Sequence, residues 1–522
     1  MTTAPPPRPP IGQALPHPYA TPPPLTRPAP QPSAWARRWP GPTAPARSRV
    51  LAATAVAAGT SASVVPLDRP GLGWLVAAVA GAAALGATVL TRPRPAARPG
   101  ATGASGRVAR LVWTLATVAL VAVGTVRAAG WLFALCLVAA FGTAALAVAG
   151  GRTPLGLLSA GLLPPVAAVR ALPWAARGLP RPRPGGPGVG RVLASLGVTV
   201  LLLLLFGLLF ASADAVFADL VTGALPDVSP AGGTGWLGRA LLAGAVLLGG
   251  AYLLAAPPDL ELRAGPARAV RRLEWVLPLA LLDLLFAAFV LVQLTVLFGG
   301  SGHVLRTAGL TYAEYARGGF WQLLAVSLLT LLVIAGAVRW APRDGRTDRI
   351  LIRVLIGGLA LLSLVVVASA LYRMRVYTDA YGATRLRLLV AVAELWLGLL
   401  FVLVGAATVR LRGSWLPRVA LGAAVLALLG LALVDPDRLI AERNVERWQR
   451  TGRLDVTYLS GLSPDAVPAL DRLPEPLRSC ALWRIDAELP ADGWRAANLG
   501  RAQARAVLAG DPATWPGTFA CP

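Results

Sequence analysis

"YRMRVYTDAYGATRLRL" runs from Tyr372 to Leu388 between two long apolar stretches, and its reading decides the fold. Four arginines, three tyrosines and an aspartate are gathered in these few residues. A polar insert of this kind, flanked by apolar runs of about 20 residues, is what a chain carries where it turns round in water between two membrane spans.

The same alternation extends outward in both directions. Apolar runs near 50–66, 71–90, 111–129, 131–149, 192–212, 236–256, 274–298, 319–338, 350–371, 386–409 and 417–434 are separated by short polar links. Each is long enough for a helix to cross about 30 Å of hydrocarbon with its backbone satisfied internally. Trp74, Trp131, Trp236, Trp275, Trp321, Trp340 and Trp415 fall at or near the ends of these runs, where an interfacial belt forms. The stretch from Leu155 to Ala176 is interrupted by Pro164, Pro165, Arg170 and Pro173, and reads as an interfacial or re-entrant piece.

Composition agrees. A mean hydropathy of +0.62 with 14% charged residues over 522 positions is too apolar for a soluble chain of this size. All 49 basic residues are arginine, which reads as codon bias in a GC-rich bacterial genome, so the high pI does not point to nucleic acid. The arginines test the topology, because cytoplasmic links are the basic ones. With the N-terminus inside, the inner segments hold 29 arginines and the outer links 9. Eleven spans then place everything after Val434 outside the cell. Cys480 and Cys521 lie in that tail, where an oxidising exterior allows a disulfide, while Cys136 lies in a span.

The expected architecture is all-α, a polytopic transmembrane bundle at 48–434 with a small helical extracytoplasmic region at 435–522. Residues 1–47, with 16 prolines and no acid, form an extended or disordered cytoplasmic N-terminus. In the tail, Ser463-Pro464-Asp465 marks a helix start, and apolar positions recur at helical spacing through 474–489 and 494–509. Trp448, Trp483, Trp494 and Trp515 supply its core or rest on the membrane surface.

On this topology the richest polar stretches share the outer face. They are "ASADAVFADL" (211–220), "TYAEYARGGFWQL" (311–323), the opening stretch, and "NVERWQRTGRLDVTYLSGLSPDAVPAL" (444–470). Arg373, Arg375, Arg385 and Arg387 run against the charge rule, so something favours them there. Asp214, Asp219, Asp379, and Glu314 among Tyr312, Tyr315 and Arg317, are the nearby acids, and Tyr381 lies in the same turn. Two readings stand: an ion-pair network that ties helix ends together, or a site for an anionic lipid headgroup, envelope polymer, peptide or protein partner. Deeper in the membrane, Asp283 falls near the middle of its span and Glu394 about a third of the way into its own. Ionisable residues at such depth are costly, and mark either a transport path or a buried helix-to-helix hydrogen bond.

Common catalytic signatures are excluded. Without lysine there is no P-loop, His17 and His303 cannot build a zinc-protease helix, and no serine sits in a G-x-S-x-G elbow. Gly233 to Gly238 formally fits the dinucleotide fingerprint, but no strand precedes it. An enzyme would depend on Asp214, Asp219 or Asp379 as base or metal ligand, as in a transferase acting on a lipid-linked donor, which needs a divalent ion. The motifs call for no cofactor and no metal.

"ASADAVFADL", "YAEYARGGFWQL", "YTDAYGATRLRL" and "GRLDVTYLSGLSPDAVP", in that order over roughly residues 190 to 470, resemble the bacterial membrane-protein family designated domain of unknown function 4173, related to family 4153. The resemblance implies a multi-span membrane protein and supplies no activity, substrate or site residue.

Overall fold

The computed structural model describes residues 39–91, 104–151, 153–179, 202, 206, 210, 230–260, 270–308, 320–342, 345–411, 413–513 and 521. Among these residues the regular structure is helical and no strand occurs. Among the described residues, the helices with defined bounds that precede the tail are α1 (Ser48–Val64), α2 (Leu72–Leu90), α3 (Ala104–Val126), α4 (Gly130–Ala149), α5 (Pro154–Gly178), α6 (Pro230–Ala255), α7 (Arg272–Ala308), α8 (Phe320–Trp340), α9 (Arg346–Tyr381), α10 (Arg385–Arg410) and α11 (Leu416–Val434). Ten of them, α2 to α11, are long and apolar enough to cross a membrane. In lipid a helix satisfies its own backbone, so a chain with this many apolar helices is a polytopic membrane protein. Apart from 192–212, which lies outside the described residues but for 202, 206 and 210, each expected span coincides with a helix.

Two of the apolar cores that hold the bundle flank α11. One lies among α1, α3, α4, α5 and α6 around Leu146, Leu163, Trp174 and Leu253. The other lies among α7 to α10 around Phe286, Ile356, Leu359 and Phe401. α11 lies between them, since its Val425 and Leu431 pack with α3, α4 and α10, and Leu416 at its start packs with the second core.

Helix α5 qualifies as a span by length and composition, but its contacts place both of its ends at one end of the bundle. Gly156, near its start, approaches the Leu260 carbonyl so closely that a Cβ would come within 2.7 Å, and Gly178 at its finish abuts the Ala46 carbonyl. Residues 46 and 260 share that end: the Trp39 indole N–H, just before α1, donates to the Ala256 carbonyl after α6 at 2.9 Å. Midway, the backbone of Pro164 and Ala168 lies against Gly249 of α6. α5 therefore lies across the end of the bundle. Its buried side carries Ala160, Leu163, Ala167 and Ala171, while Leu158, Leu162 and Val169 on its other side are exposed.

The N-terminal boundary moves inward. Residues 39–46, counted above with the extended N-terminus, are anchored at both ends by buried Trp39 and Ala46: Trp39 is fully buried, edge-on to Tyr252, with the Arg170 guanidinium 4.4 Å from its ring centroid. Trp174 of α5 holds the same segment by donating to the Ala44 carbonyl at 3.0 Å. Tryptophan supplies a large apolar face and one donor, and both are satisfied here.

The turn expected over 372–388 is shorter than its polarity suggests. α9 runs on to Tyr381, 36 residues or about 54 Å. Gly382, with φ of 89°, ends it, and the Thr384 hydroxyl caps α10 by accepting from the Arg387 N–H. Most of the polar stretch is thus helix.

The tail contains α12 (Pro436–Thr451), α13 (Val456–Ser460), α14 (Val467–Leu470), α15 (Leu477–Ala487) and α16 (Leu499–Gly510). Ser463 precedes a 3-10 segment (Pro464–Ala466) in place of the expected helix, and α14 follows it directly. Ile440, Leu459, Leu470, Leu482 and Leu508 form its core, against which Trp448 packs; Trp494 is 45% exposed. Cys480 and Cys521 are disulfide-bonded, their Cα atoms 5.6 Å apart.

The placement of α5 predicts that single cysteines replacing Leu155 and Leu179, both exposed, react with a membrane-impermeant thiol reagent from the same side of the membrane. Labelling from opposite sides would make α5 a span.

Candidate functional site

The polar chemistry gathers where the tail meets one end of the bundle. That end carries the α1–α2 link, the turns before α4 and α10, and the junction of α11 with α12. Asp437, in the first turn of α12, is fully buried. Its carboxylate accepts two hydrogen bonds from the Arg385 guanidinium, from Nε at 2.9 Å and Nη2 at 2.6 Å. It also accepts from the Trp131 indole at 3.1 Å and the Ser463 N–H at 2.9 Å. One side chain thereby joins α10, α4, α12 and the segment before α14. A planar guanidinium against a carboxylate in this two-point arrangement is among the stronger charge-assisted contacts.

Two more aspartates extend the junction. Asp435 sits in the left-handed region (φ 59°) between α11 and α12 and pairs with Arg127 at 2.5 Å. Arg127 also donates to the carbonyls of Ala432 and Leu433 at the end of α11. Asp465 Oδ2 accepts from the backbone N–H groups of Ala128 and Ala129, at 2.8 and 3.0 Å, and from the Ser463 hydroxyl. From the far side of the tail, Asn498 caps α16 with its Oδ1, and its Nδ2 donates to the carbonyls of Gly124 and Arg127, both at 2.9 Å. Gly71 and Gly500 permit this approach, since a Cβ on Gly71 would strike the Ala496 backbone and one on Gly500 the Asp465 carboxylate. The Tyr458 hydroxyl accepts from the Arg385 N–H, and Asn444 and Arg447 donate to the carbonyls of Ala383 and Ala380.

These environments separate the three carboxyls. Burial pushes Asp437 up, but the hydrogen bonds and charge of Arg385, with the Ser463 N–H, hold it below the usual carboxylate range. For Asp435, burial and the neighbouring Asp465 outweigh Arg127 and raise it to about 6. Burial likewise raises Asp465 against its three donors.

The residues singled out in the sequence are placed differently. Arg385 joins the junction, but its partner is Asp437 and not Asp379. Arg387 donates to the Gly382 carbonyl and lies over the Tyr377 ring, 4.2 Å from its centroid. Arg373 donates to Gln293 of α7 at 2.9 Å. Arg375, Asp379 and Tyr381 are exposed on the last turns of α9. Asp214, Asp219, Tyr312, Glu314 and Arg317 lie outside the described residues. Among the described residues, no group of three or more His, Cys, Asp or Glu is arranged to hold a metal ion.

Glu394 is 1% exposed and neither of its carboxylate oxygens has a hydrogen-bond partner; Asp283 Oδ1 is also buried and unpartnered. The two acids do not meet. Asp283 faces Gly358 of α9, whereas Glu394 sits one turn from Gly398, which packs on Leu364 and Val367. That places them roughly 18 Å apart along α9.

Arg127, Trp131, Asp435, Asp437 and Asn498 were not evident as site residues in the sequence. The available signal was "VDPDR" (434–438), an Asp-Pro-Asp immediately beyond the last span and at a helix start.

A family model described as Domain of unknown function (DUF4153) matches residues 115–473, which include every junction group named above except Gly71, Ala496, Asn498 and Gly500. Among curated proteins and among solved structures, nothing matches.

The junction predicts unequal costs. Asp437→Ala leaves the half-buried Arg385 guanidinium, the Trp131 indole N–H and the Ser463 N–H without their common acceptor and costs about 3 kcal/mol, whereas exposed Asp379→Ala changes stability by at most about 0.5 kcal/mol. Unfolding of the purified protein in detergent compares the two; equal losses would contradict the assignment.

Proposed function

With a match over well more than half its length, the chain belongs to the DUF4153 family, and we propose that it is a non-enzymatic scaffold or sensing protein of the bacterial cell envelope. The relation to family 4173 is part of this proposal and rests on the four motifs quoted above. The chain sits in the plasma membrane with its N-terminus in the cytoplasm and its tail outside. Two observations support that orientation: the arginine balance of 29 to 9, and a disulfide in the tail, which requires an oxidising compartment.

The observation that carries the scaffold reading is how the arginines of 372–388 are used. Three of the four hold protein groups: Arg385 binds Asp437, Arg387 the Gly382 carbonyl and Tyr377, and Arg373 Gln293. Guanidinium groups engaged in this way hold the tail and α9 in place and are not available as a basket for an anion. What remains for a partner is the exposed tip of α9, with Arg375, Asp379 and Tyr381, beside the clamped tail. Such a surface suits a protein or peptide partner carrying both charges.

A second reading, an ion- or proton-coupled transporter, is favoured by Glu394, a fully buried carboxyl without a partner. Its separation from Asp283 along α9 counts against a continuous pair of sites.

Site-specific photocrosslinking at positions 375 and 379 in cells is expected to capture a partner. The double variant Arg375→Glu, Asp379→Arg is expected to lose that product while folded yield stays within about twofold. Ion flux in proteoliposomes that disappears with Glu394→Gln would replace the scaffold reading with the transporter.

A further inference from the structure

The junction between tail and bundle carries three buried carboxyls and two arginines. Asp435, Asp437 and Asp465 are 7%, 0% and 3% exposed. Arg385 is committed to Asp437 through two hydrogen bonds, and Arg127 to Asp435. Among the described residues no cationic side chain pairs with Asp465, whose Oδ2 accepts from neutral donors. Asp435 Oδ1 and Asp465 Oδ1 are both buried without any hydrogen-bond partner. Nearby charged or titratable groups include Arg438 on α12, which is exposed, pairs with Glu442 and acts on Asp435 through its charge and its backbone N–H, and Tyr458 on α13, whose hydroxyl accepts from the Arg385 N–H. α16 presents Gly500 to Asp465, and its Arg501 is engaged with Asp492. With all three carboxyls ionised, one negative charge is left over without a buried counter-charge.

An unpaired buried charge is costly, and so is a carboxylate oxygen without a donor. A single proton removes both defects: it cancels the surplus charge and turns one orphaned acceptor into a donor. Gly500, packed against Asp465 Oδ1 with no room for so much as a Cβ, leaves space for nothing larger.

We propose that Asp435 and Asp465 form a proton-binding site that tightens the tail onto the bundle when the surrounding medium turns acidic. The site builds on the tail being a clamped cap and requires no partner. Burial raises both carboxyls, helped at Asp435 by the charge of Asp465 and at Asp465 by that of Asp437, and Asp435 reaches about 6, so the folded junction takes up a proton that the unfolded chain binds only near pH 4. The native state then holds more protons than the unfolded one between about pH 4 and pH 6, and stability falls as pH rises through that window. Asp437 acts oppositely. Its pair with Arg385 is complete above the usual carboxylate range and is lost at lower pH, so the clamp is tightest at about pH 4.

Hydrogen exchange of the full chain in nanodiscs tests this, read as protection factors for the backbone at 127–130, two of whose amides donate to Asp465. Expressed this way, the intrinsic pH dependence of exchange is removed. Wild type is expected to gain about tenfold in protection between pH 7 and pH 5. Asp435→Asn, an uncharged near-isostere that tolerates the left-handed backbone, is expected to be equally protected at both pH values. Asp465→Asn serves if that variant fails to fold, and is expected to flatten the profile in the same way. A flat wild-type profile overturns the proposal without any variant, and so does a variant that keeps the wild-type slope. Crosslinking at the α9 tip does not enter this readout, so loss of the partner and loss of the proton site are told apart.

Discussion

Asp437 has no exposed surface and four hydrogen bonds, and each donor belongs to a piece of chain far from it in sequence. A buried carboxylate in these surroundings is tolerable only when its oxygens are fully satisfied. The condition works in both directions. Arg385 must leave the turn before α10 pointing at the tail, Trp131 must begin α4 beside it, and the segment before α14 must bring the Ser463 N–H. Asp435 and Asp465 then fix the turn between α3 and α4 on either side. The tail becomes a cap keyed to the ends of α3, α4, α10 and α11.

Packing completes what the polar groups orient. Gly71 and Gly500 let backbone meet backbone at the same junction, and Asn498 fills the gap from the other side. The opposite end of the bundle is closed by different means. There α5 lies across the helix ends, and Trp39, buried against Tyr252 and Arg170, ties the chain ahead of α1 to it. One end of the protein is sealed by aspartate and arginine, the other by tryptophan and a helix rich in alanine.

How much of this was legible follows from the physics of each part. Span positions were readable because hydrocarbon imposes one length and one composition, and nine of the ten helices long and apolar enough to cross a membrane fall where apolar runs predicted them, α5 being the tenth. The Leu155–Ala176 stretch stood apart through its prolines, though nothing in the sequence said which elements its ends would touch. The turn after Leu371 was misjudged because polarity marks where a chain leaves lipid, not where a helix ends; Gly382 marks that. The partner of Arg385 was out of reach, since Asp379 was near in sequence while Asp437 lies 52 positions away, across an intervening hairpin of two helices. Ion pairs between distant segments are set by packing, which a single sequence does not display. Glu394 was recognisable as a deep acid, but that both its oxygens lack a donor is a property of the packed bundle alone.

The most direct test of the clamp is a double-mutant cycle on Arg385 and Asp437, with unfolding free energies for wild type, Arg385→Ala, Asp437→Ala and the double variant. The clamp predicts that the double variant loses less than the two single losses together, with a coupling of roughly 1–3 kcal/mol. A coupling indistinguishable from zero would show that the two residues act independently, and the tail would then be held by something other than this pair.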